Sequence, residues 1–449
     1  MTEERWSLVT ALDIAAAKEL VAFVGGGGKT SLMVALAAQL PGRVVMTTTT
    51  RLFASQMSLA PAAIRVDELA SLGAALETHG RCLIISHIEG EKAGDKAIGV
   101  DPDLPARLLA RPDVDDVLVE ADGSRILTVK APAAHEPVIP AGTTLLVPIA
   151  GLDALEGPLD DLAHRPERVR ALAGDAGLVD GRLTPAGLAQ LLTHPQGGLK
   201  NAPEAARVIP FLNKAETGER LAAGQEAARQ MLAEPRVSRV VLGALRDPAP
   251  VREVWRRVTA VVLAAGESSR MGRNKLLLPW RDTTVLGQTL ANMKASAVTD
   301  ILVVTGHEGQ KAAAIAGDLA VRALHNDSYA KGMLTSAQAA VRHLPAATEA
   351  ALVVLGDQPM VGPAIIDALL QAYAGSPRGL IAPVYRGRRG NPVLIDRRYF
   401  AELLALPPEA APRALLQRHA GDIHYVEFDD DAILHDLDRP EDYERLRPR

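Results

Sequence analysis

The sequence predicts an α/β fold built from parallel sheets, arranged as two successive domains. Short apolar runs alternate with helical patterns along the chain, which is typical of βαβ units. The strand-like run at 20–24 is followed by four glycines, and a second run at 258–263 is followed by Ala-Ala-Gly. We therefore expect one domain over residues 1–250 and another over residues 257–449. The boundary is predicted at the proline-containing stretch 246–250, with the charged segment 252–257 as a connection.

Composition excludes several classes of protein. The chain has 449 residues, of which 48% are hydrophobic and 23% charged, with a net charge of −5. This balance is typical of a globular protein and offers no basic field for nucleic acid. The single cysteine, Cys82, excludes an internal disulfide. No apolar run reaches the roughly 18 residues of a membrane span, and no secretory pattern is visible. A cytoplasmic location, with neither nucleic acid nor membrane as partner, is expected.

The first small-residue turn predicts a phosphate-binding loop. A strand followed by glycines and a helix directs free backbone N–H groups at an anion. The lysine after the glycines can reach phosphates, and the next threonine can bind Mg²⁺. Compared with the usual P-loop, Phe23 replaces the first glycine, so the loop is a shortened form that would hold ATP or GTP. The candidate binding residues are Gly25, Gly26, Gly27, Gly28, Lys29 and Thr30.

Polar residues follow several other strands of the first domain. Glu120 and Asp122 end the apolar run at 117–119, so they are candidate Mg²⁺ ligands or, alternatively, structural ion-pair partners. The hydroxyls at 47–50 would orient a metal-bound water or a substrate oxyanion, or simply belong to an exposed strand. The segment 130–137 is a candidate substrate loop. Asn213 opens a segment similar to the N-K-x-D guanine motif, which leaves ATP and GTP both open.

The second small-residue turn predicts a triphosphate site. Its backbone, from Leu263 through Ala264 and Ala265 to Gly266, can close around phosphates. Arg270 and Lys275 carry positive charge at this turn, and Lys275 is placed to cover the charge of leaving pyrophosphate. We take both as candidate catalytic residues.

Carboxylates at two later positions predict a metal site in the same domain. Asp357 follows Gly356 at the end of the buried run 352–355, and ligands bind at that edge of open α/β sheets. A carboxylate there suits Mg²⁺. Asp436 and Asp438 would complete the site, although Asp438 could instead cap a helix starting near Pro440.

The second domain resembles the MobA-like nucleotidyltransferases, and within them the molybdenum cofactor cytidylyltransferases of the MocA type, over about 190 residues. The matching motifs are LAAGESSRMG with Lys275, LPW at 278–280, VTGH at 304–307, HNDSYA at 325–330, GMLTS at 332–336, GDQP at 356–359 and DLDRPED at 436–442.

This resemblance implies a reaction. It implies the transfer of CMP from CTP to the terminal phosphate of molybdopterin or Mo-molybdopterin, with Mg²⁺ and release of pyrophosphate. Gly306 and Gly356 would line the nucleotide site, and Asp357 would hold Mg²⁺. Guanylyl-transferring relatives tend to have glycine at the position of Ala265, which favours cytosine here. The family usually has Gly-His-Pro where this chain has Asn391, so the acceptor side departs from the pattern.

The first domain resembles the YqeC-like family over roughly residues 10–245. The matching segments are GGGGKTS, TTTTRLF, EADGSR, KAPAAHEP and FLNKAE. The family is described as accessory factors of selenium-dependent molybdenum hydroxylases, so the resemblance implies a pathway more than a reaction. No residue pattern here identifies a selenium site.

The two resemblances together predict a fused, bifunctional maturation protein for the molybdenum cofactor, with an NTP-dependent first domain and an apo molybdenum hydroxylase as partner. One alternative is a nucleotidyltransferase acting on a sugar or alditol phosphate. A second is that the first domain is a non-catalytic, NTP-gated chaperone.

Overall fold

The structure, a computed structural model, describes residues 5–14, 18–90, 96–407, 410 and 413–448. The chain divides into an N-terminal unit, Arg5–Trp255, and a C-terminal unit, Arg256–Arg449. Among the described residues, no helix is both long and apolar enough to cross a membrane.

The N-terminal unit is a parallel-rich α/β domain. Its strands are β1 (Glu19–Gly25), β2 (Val44–Thr48), β3 (Arg51–Phe53), β4 (Ala63–Arg65), β5 (Arg81–Ile85), β6 (Ile88–Glu89), β7 (Lys96–Ile98), β8 (Asp116–Glu120), β9 (Val129–Lys130), β10 (Leu145–Gly151), β11 (Ala163–His164), β12 (Leu178–Val179), β13 (Arg182–Leu183), β14 (Arg207–Val208), β15 (Phe211–Asn213), β16 (Arg239–Gly243) and β17 (Val251–Arg256). Its helices are α1 (Leu8–Ala11), α2 (Lys29–Gln39), α3 (Leu72–His79), α4 (Leu104–Leu109), α5 (Leu159–Leu162), α6 (Pro166–Ala173), α7 (Pro185–Thr193) and α8 (Gly218–Met231).

The main sheet of this unit has ten strands in the order β17-β16-β15-β10-β1-β8-β2-β5-β4, with β14 beside β10. The pairs that join β4 through to β16 are all parallel. Strand β1 is central, and its side chains alternate between two cores. Phe23 packs with α2 on one face, and Leu20 packs with α3 and α4 on the other. Burial on both faces explains why these strands are continuous apolar runs.

The charged segment 252–257 is not a simple connection, and that expectation is wrong. Residues 251–256 form β17 at the edge of the first sheet. The apolar residues between the charges decide this, because Val251, Val254 and Trp255 are buried. Of the charged residues in this strand, Arg252 is partly exposed, whereas Glu253 is buried and accepts hydrogen bonds from the Gln225 amide at 2.9 Å and the Trp255 indole at 2.7 Å.

The C-terminal unit is a second α/β domain. Its strands are β18 (Val258–Ala264), β19 (Pro279–Trp280), β20 (Thr283–Thr284), β21 (Asp300–Thr305), β22 (Arg322–His325), β23 (Ala350–Leu355), β24 (Leu380–Tyr385), β25 (Arg388–Arg389), β26 (Val393–Asp396) and β27 (Ile423–Glu427). Its helices are α9 (Val285–Lys294), α10 (Gly309–Asp318), α11 (Met333–His343), α12 (Pro363–Gly375), α13 (Phe400–Ala405), α14 (Arg413–Arg418) and α15 (Pro440–Leu446).

The main sheet of this unit has eight strands in the order β22-β21-β18-β23-β26-β24-β25, with β27 beside β24. Strand β18 pairs in parallel with β21 and β23, whereas β26 is antiparallel to both of its neighbours. Val262 packs against α9 and α12 on one face, and Val261 packs against α11 on the other. The carboxyl ends of β18, β21, β22, β23, β24 and β27 therefore share one edge of the sheet.

A buried ion pair ties the start of the C-terminal unit to its sheet. The Arg256 guanidinium contacts the Asp396 carboxylate at 2.8 Å and donates to the carbonyl of Tyr373 at 2.6 Å. The Tyr373 hydroxyl donates to the same carboxylate at 2.7 Å. Burial would raise the pKa of Asp396, but the Arg256 and Arg398 charges hold it below its usual value. Removal of one partner would leave an uncompensated buried charge.

We expect Asp396→Ala to lower the free energy of unfolding of the C-terminal unit by about 3 kcal/mol, because it leaves Arg256 buried without its carboxylate. Urea denaturation measures this. The control is Arg322→Ala, which removes a pair with Asp300 whose arginine side chain is 51% exposed. Exposed pairs contribute at most about 1 kcal/mol, so equal losses in the two variants would contradict the role of the buried pair.

Candidate functional site

The glycine loop of the N-terminal unit connects β1 to α2, as the sequence predicted. Gly25, Gly27 and Gly28 have φ values of 101°, 77° and 140°, which only glycine adopts readily. Three amides of the loop are engaged within the protein. Gly25 donates to the Asp122 carboxylate at 3.1 Å, Gly26 to the carbonyl of Ile149 at 2.9 Å, and Gly27 to the carbonyl of Leu127 at 3.1 Å.

The far side of the loop is fixed by Asn213. Its amide donates to the carbonyl of Gly27 at 2.7 Å and accepts from the backbone N–H of Leu245 at 3.2 Å. These bonds occupy both ends of the amide, so here Asn213 positions the glycine loop. Helix α2 begins directly after Gly28 without a side-chain cap. The first-turn amides of such a helix have no intrahelical acceptor and are the groups that suit a phosphate.

Lys29 lies between the two carboxylates that the sequence placed at the end of β8. Its ammonium is 3.3 Å from Asp122 and 3.7 Å from Glu120, and it donates to the carbonyl of Gly25 at 2.6 Å. The Thr30 hydroxyl donates to Glu120 at 2.7 Å. Burial raises the pKa of Glu120, and the Lys29 charge opposes that rise. The structure thus brings together Lys29, Thr30, Glu120 and Asp122 in one buried network.

The segment 130–137 adds a second buried lysine to this network. Lys130 is 3.0 Å from Asp122 and 2.9 Å from Glu136, and only 1% of its side chain is exposed. Arg165, from the start of α6, contacts Glu136 at 2.8 Å. Burial would raise the pKa of Glu136, but hydrogen bonds from Lys130 and Arg165 lower it to about 2.

The threonine hydroxyls at 47–50 form hydrogen bonds to neighbouring segments of the N-terminal unit. Thr47 donates to the carbonyl of Ile84 at 2.7 Å, Thr48 to that of Glu120 at 2.8 Å, and Thr49 to that of Val138 at 2.7 Å. These bonds link β2 to β5, to β8 and to the segment after residue 137. The side chains are therefore committed to neighbouring strands in this arrangement.

In the C-terminal unit, Lys275 contacts two of the three aspartates predicted at the metal site, Asp357 and Asp438. Its ammonium makes a close ion pair with Asp357 and contacts Asp438 at 2.9 Å. Arg270 contacts Asp438 at 3.1 Å, with 69% of its own side chain exposed. Asp438 does not cap the last helix, because the residue that precedes α15 as its N-cap is Arg439.

The pKa shifts follow from this arrangement. Burial raises the pKa of Asp357, Lys275 lowers it, and repulsion from Asp436 raises it again, so the net shift is upward. The pKa of Asp438 is lowered, chiefly by its hydrogen bond with Lys275. Burial would lower the pKa of Lys275, but the two carboxylates raise it. The ammonium therefore stays protonated and holds Asp357 and Asp438 around one point.

The predicted nucleotide-binding backbone lies at the carboxyl edge of the sheet. Ala264 ends β18, and Ala265 accepts a hydrogen bond at its carbonyl from the backbone N–H of His307 at 3.2 Å. A side chain at Gly306 would lie 2.6 Å from the ring of Tyr329 and 2.8 Å from Cβ of Ala265. Gly306 thus allows the two loops to meet closely.

The other predicted residues fall at the same edge. A Cβ added to Gly266 would meet no atom within 4 Å, and Gly356 donates its backbone N–H to the carbonyl of Leu263 at 3.0 Å. Asn391 follows the β24–β25 hairpin, donates its backbone N–H to the carbonyl of Ile433 at 3.0 Å, and precedes a cis proline.

Within the described ranges, no three His, Cys, Asp or Glu side chains form a ready metal cluster. Instead, a lysine occupies the point between carboxylates in each unit. The residues nevertheless fit a divalent cation in the C-terminal unit, because Asp357 and Asp438 converge on one cationic group and Asp436 is near enough to affect Asp357. Carboxylate oxygens are the ligands that Mg²⁺ prefers.

No sequence pattern identified Arg165 or Lys200 as part of the site. Lys200 is buried and donates to the carbonyls of Ala133 and Ala134 at 2.5 and 2.9 Å. Both residues belong to segments far along the chain from the loop they hold, and no local motif marks them.

A sequence model of the MobA-like NTP transferase domain matches residues 260–423, and a model of the YqeC protein matches residues 21–167. The chain is 31% identical over 193 residues to the molybdenum cofactor cytidylyltransferase of Escherichia coli (strain K12), which covers 43% of this chain and 96% of that protein. It is 32% identical over 248 residues to the uncharacterized protein YqeC of the same organism, which covers 54% of this chain and 94% of that protein.

The chain belongs to both families. Its C-terminal unit is a MobA-like nucleotidyltransferase, and its N-terminal unit is a YqeC protein. A solved nucleotidyl transferase from Methanothermobacter is 26% identical and covers 42% of this chain and 96% of its own, with a TM-score of 0.39.

We expect Glu136→Gln to destabilise the YqeC unit at pH 7 and to do so less at pH 4. The folded-state pKa of Glu136 is about 2 and its ordinary value is 4.5. The carboxylate therefore contributes stability above pH 4.5 that is lost as the pH falls towards 2. Urea-dependent hydrogen exchange of β8 measures the difference between wild type and variant at each pH. A control is Glu156→Gln, whose side chain is 49% exposed. A Glu136→Gln difference that grows on acidification would contradict the assignment.

Proposed function

We propose that the C-terminal unit transfers CMP from CTP to the terminal phosphate of a molybdopterin-type cofactor and releases pyrophosphate. The observation that carries the proposal is the convergence of Asp357 and Asp438 on Lys275, beside the small-residue loop 264–266. The 31% identity to a molybdenum cofactor cytidylyltransferase supports the choice of acceptor.

The chemistry follows from charge. An acceptor phosphate oxygen attacks the α-phosphorus of CTP in line, the bond to the bridging oxygen breaks, and pyrophosphate leaves with that electron pair. The acceptor is already an anion at neutral pH, so no general base is required. Catalysis consists of positioning and electrostatic stabilisation.

The residues of the chain have distinct tasks in this proposal. The backbone from Leu263 to Gly266 receives the triphosphate, while Lys275 and Arg270 neutralise its charge. Asp357, with Asp436 and Asp438, would hold Mg²⁺, which neutralises phosphate charge when bound. Lys275 leaves the carboxylates for the phosphates when substrate binds, and until then its ion pair with Asp357 offsets the charge of that buried carboxylate.

The proposed preference for a particular base and acceptor is supported by fewer contacts. Ala265 packs against Gly306, so the wall of the site at this point is formed by a methyl group. We propose that this favours cytosine over guanine. Asn391 lies at the same edge, and we propose that it contacts the acceptor.

For the N-terminal unit we propose an NTP-dependent accessory role in maturation of a molybdenum hydroxylase. Support comes from the loop before Lys29, the uncapped start of α2, and the carboxylates Glu120 and Asp122 beside Thr30. ATP or GTP would bind the first-turn amides of α2, with Thr30, Glu120 and Asp122 as the residues that would hold Mg²⁺.

We expect pyrophosphate release with CTP, and much less with GTP or ATP, when purified protein is supplied with Mg²⁺ and Mo-molybdopterin. Asp357→Asn should reduce the CTP rate by at least about 100-fold, since it removes a charge that the site is built around. Asp318→Asn, at the exposed end of α10, is the matched control and should retain the rate. Sugar phosphates serving as acceptors in place of Mo-molybdopterin would contradict the proposal.

We expect Lys29→Met to abolish binding of a fluorescent ATP or GTP analogue in the presence of excess CTP, while CMP transfer continues. Lys29 is the only loop cation proposed to contact the phosphates of that nucleotide. Lys18→Met, at the opposite end of β1, is the control. Simultaneous loss of both activities in Lys29→Met would rule out two separate nucleotide sites.

A further inference from the structure

Residues 54–60, which we call the Gln56 segment, follow β3 and contact the proposed nucleotide site of the N-terminal unit through one glutamine. The Gln56 side-chain N–H donates to the Thr30 hydroxyl, in the first turn of α2, at 3.3 Å. The side-chain oxygen of Gln56 accepts from the backbone N–H of Phe53 at 2.9 Å. One amide thus joins the beginning of the 3₁₀ helix Ala54–Leu59 to a residue predicted to bind Mg²⁺.

The Gln56 segment has few other polar anchors. Within the described residues, and apart from the bonds of Gln56 itself, its hydrogen bonds stay inside the segment. The Ser58 hydroxyl donates to the carbonyl of Ser55 at 2.9 Å, and the N–H of Ala60 donates to the carbonyl of Met57 at 3.4 Å. Because bonds inside a segment do not fix its position on the protein, the Gln56–Thr30 bond is the polar contact that places the segment on α2.

A small cavity lies between the Gln56 segment and α2. Gln56 and Thr30 line it together with apolar side chains that include Met33, Met46 and Leu59. Atoms that line a void lose dispersion contacts on that side. Packing therefore holds the segment less firmly than a filled interface would, and the segment can be displaced without disrupting the sheet.

The Thr30 hydroxyl cannot serve Gln56 and a metal ion equally well. It donates its hydrogen to Glu120 at 2.7 Å and accepts the Gln56 N–H. Thr30, Glu120 and Asp122 supply the oxygen ligands that Mg²⁺ prefers, so these residues fit the cation of the proposed nucleotide. Mg²⁺ on the Thr30 oxygen would face the positive end of the Gln56 N–H dipole, and the two repel. The 3.3 Å bond is long for its type, so it is readily broken.

We propose that Gln56 is a positioning residue that acts through Thr30. It holds the Gln56 segment on α2 before ligand binds, and binding of a Mg²⁺–nucleoside triphosphate displaces it and frees the segment. This inference rests on the nucleotide site proposed above and adds a link from its metal to a surface segment. Since the Gln56 bond must be broken when the metal binds, removal of the glutamine should tighten binding.

The test uses the full chain and follows hydrogen exchange peptide by peptide, with the β,γ-imido analogues of ATP and GTP as probes. In wild type we expect exchange of residues 54–60 to rise at least about fivefold with Mg²⁺ and an analogue together, the effect of losing about one hydrogen bond. Mg²⁺ alone, or an analogue with EDTA, should leave exchange unchanged, because the displacement requires metal held by the nucleotide.

Gln56→Ala should behave in the opposite way to the loss of a binding residue. We expect residues 54–60 to exchange fast without ligand, and the Mg²⁺–analogue to bind about fivefold more tightly, measured by protection of the first turn of α2. Affinity in EDTA should not change. Gln39→Ala is the matched control on α2, since the Gln39 side chain accepts from the backbone N–H of Leu8 at 2.7 Å and so holds a different segment. Exchange of β1 and β8 at the wild-type rate shows that each variant is folded.

Unchanged exchange of residues 54–60 in wild type that binds the Mg²⁺–analogue would overturn the proposal. Weaker binding by Gln56→Ala would make Gln56 a ligand-binding residue instead, and an equal gain in affinity with EDTA would show that the metal plays no part. If no peptide of the wild-type N-terminal unit responds to either analogue, the nucleotide site proposed above fails together with this inference. CMP transfer, measured in parallel, tests the C-terminal unit separately.

Discussion

The constraint on which both units depend is the balance of strand-end carboxylates by a lysine from the turn after the first strand. In the N-terminal unit, Lys29 lies between Glu120 and Asp122, and in the C-terminal unit Lys275 lies between Asp357 and Asp438. Glu120 and Asp122 lie at the end of a strand that pairs in parallel with β1, and Asp357 follows a strand that pairs in parallel with β18, whereas Asp438 lies in the segment after β27. Parallel pairing brings the two strand ends to one edge, where unpaired carboxylates would repel each other. The lysine makes that edge stable before any ligand binds.

The same arrangement explains what the sequence could predict. The two small-residue turns, the lysines and the carboxylates all lie next to apolar runs, so local patterns and the rule for parallel sheets bring them together. Glu120 and Asp357 were found in this way. The sequence did not predict which residues Arg165 and Asn213 contact, because each contacts its partner from a distant segment of the chain. The strand at 251–256 was not predicted, because the charged residues around Val254 and Trp255 mask the apolar pattern when only neighbouring residues are considered.

The two lysine networks differ in their exposure to solvent. Lys29 and Asp122 each have 2% of the side chain exposed, and three amides of the glycine loop already have acceptors within the unit. In the C-terminal unit, Lys275 is 17% exposed and Asp438 is 41% exposed. A charged ligand can therefore reach the second network directly, whereas the first must exchange internal hydrogen bonds for bonds to a ligand.

That difference bears on what each unit is suited to do. Exchanging buried ion pairs for a ligand requires the ligand to supply comparable interactions, since a buried charge left alone is strongly unfavourable. For the nucleotide proposed in the N-terminal unit, this requires several charged oxygens that engage Lys29 and the first turn of α2 together. In the proposed reaction Lys275 moves from carboxylate to phosphate, and the Asp438 side chain that it leaves is already 41% exposed.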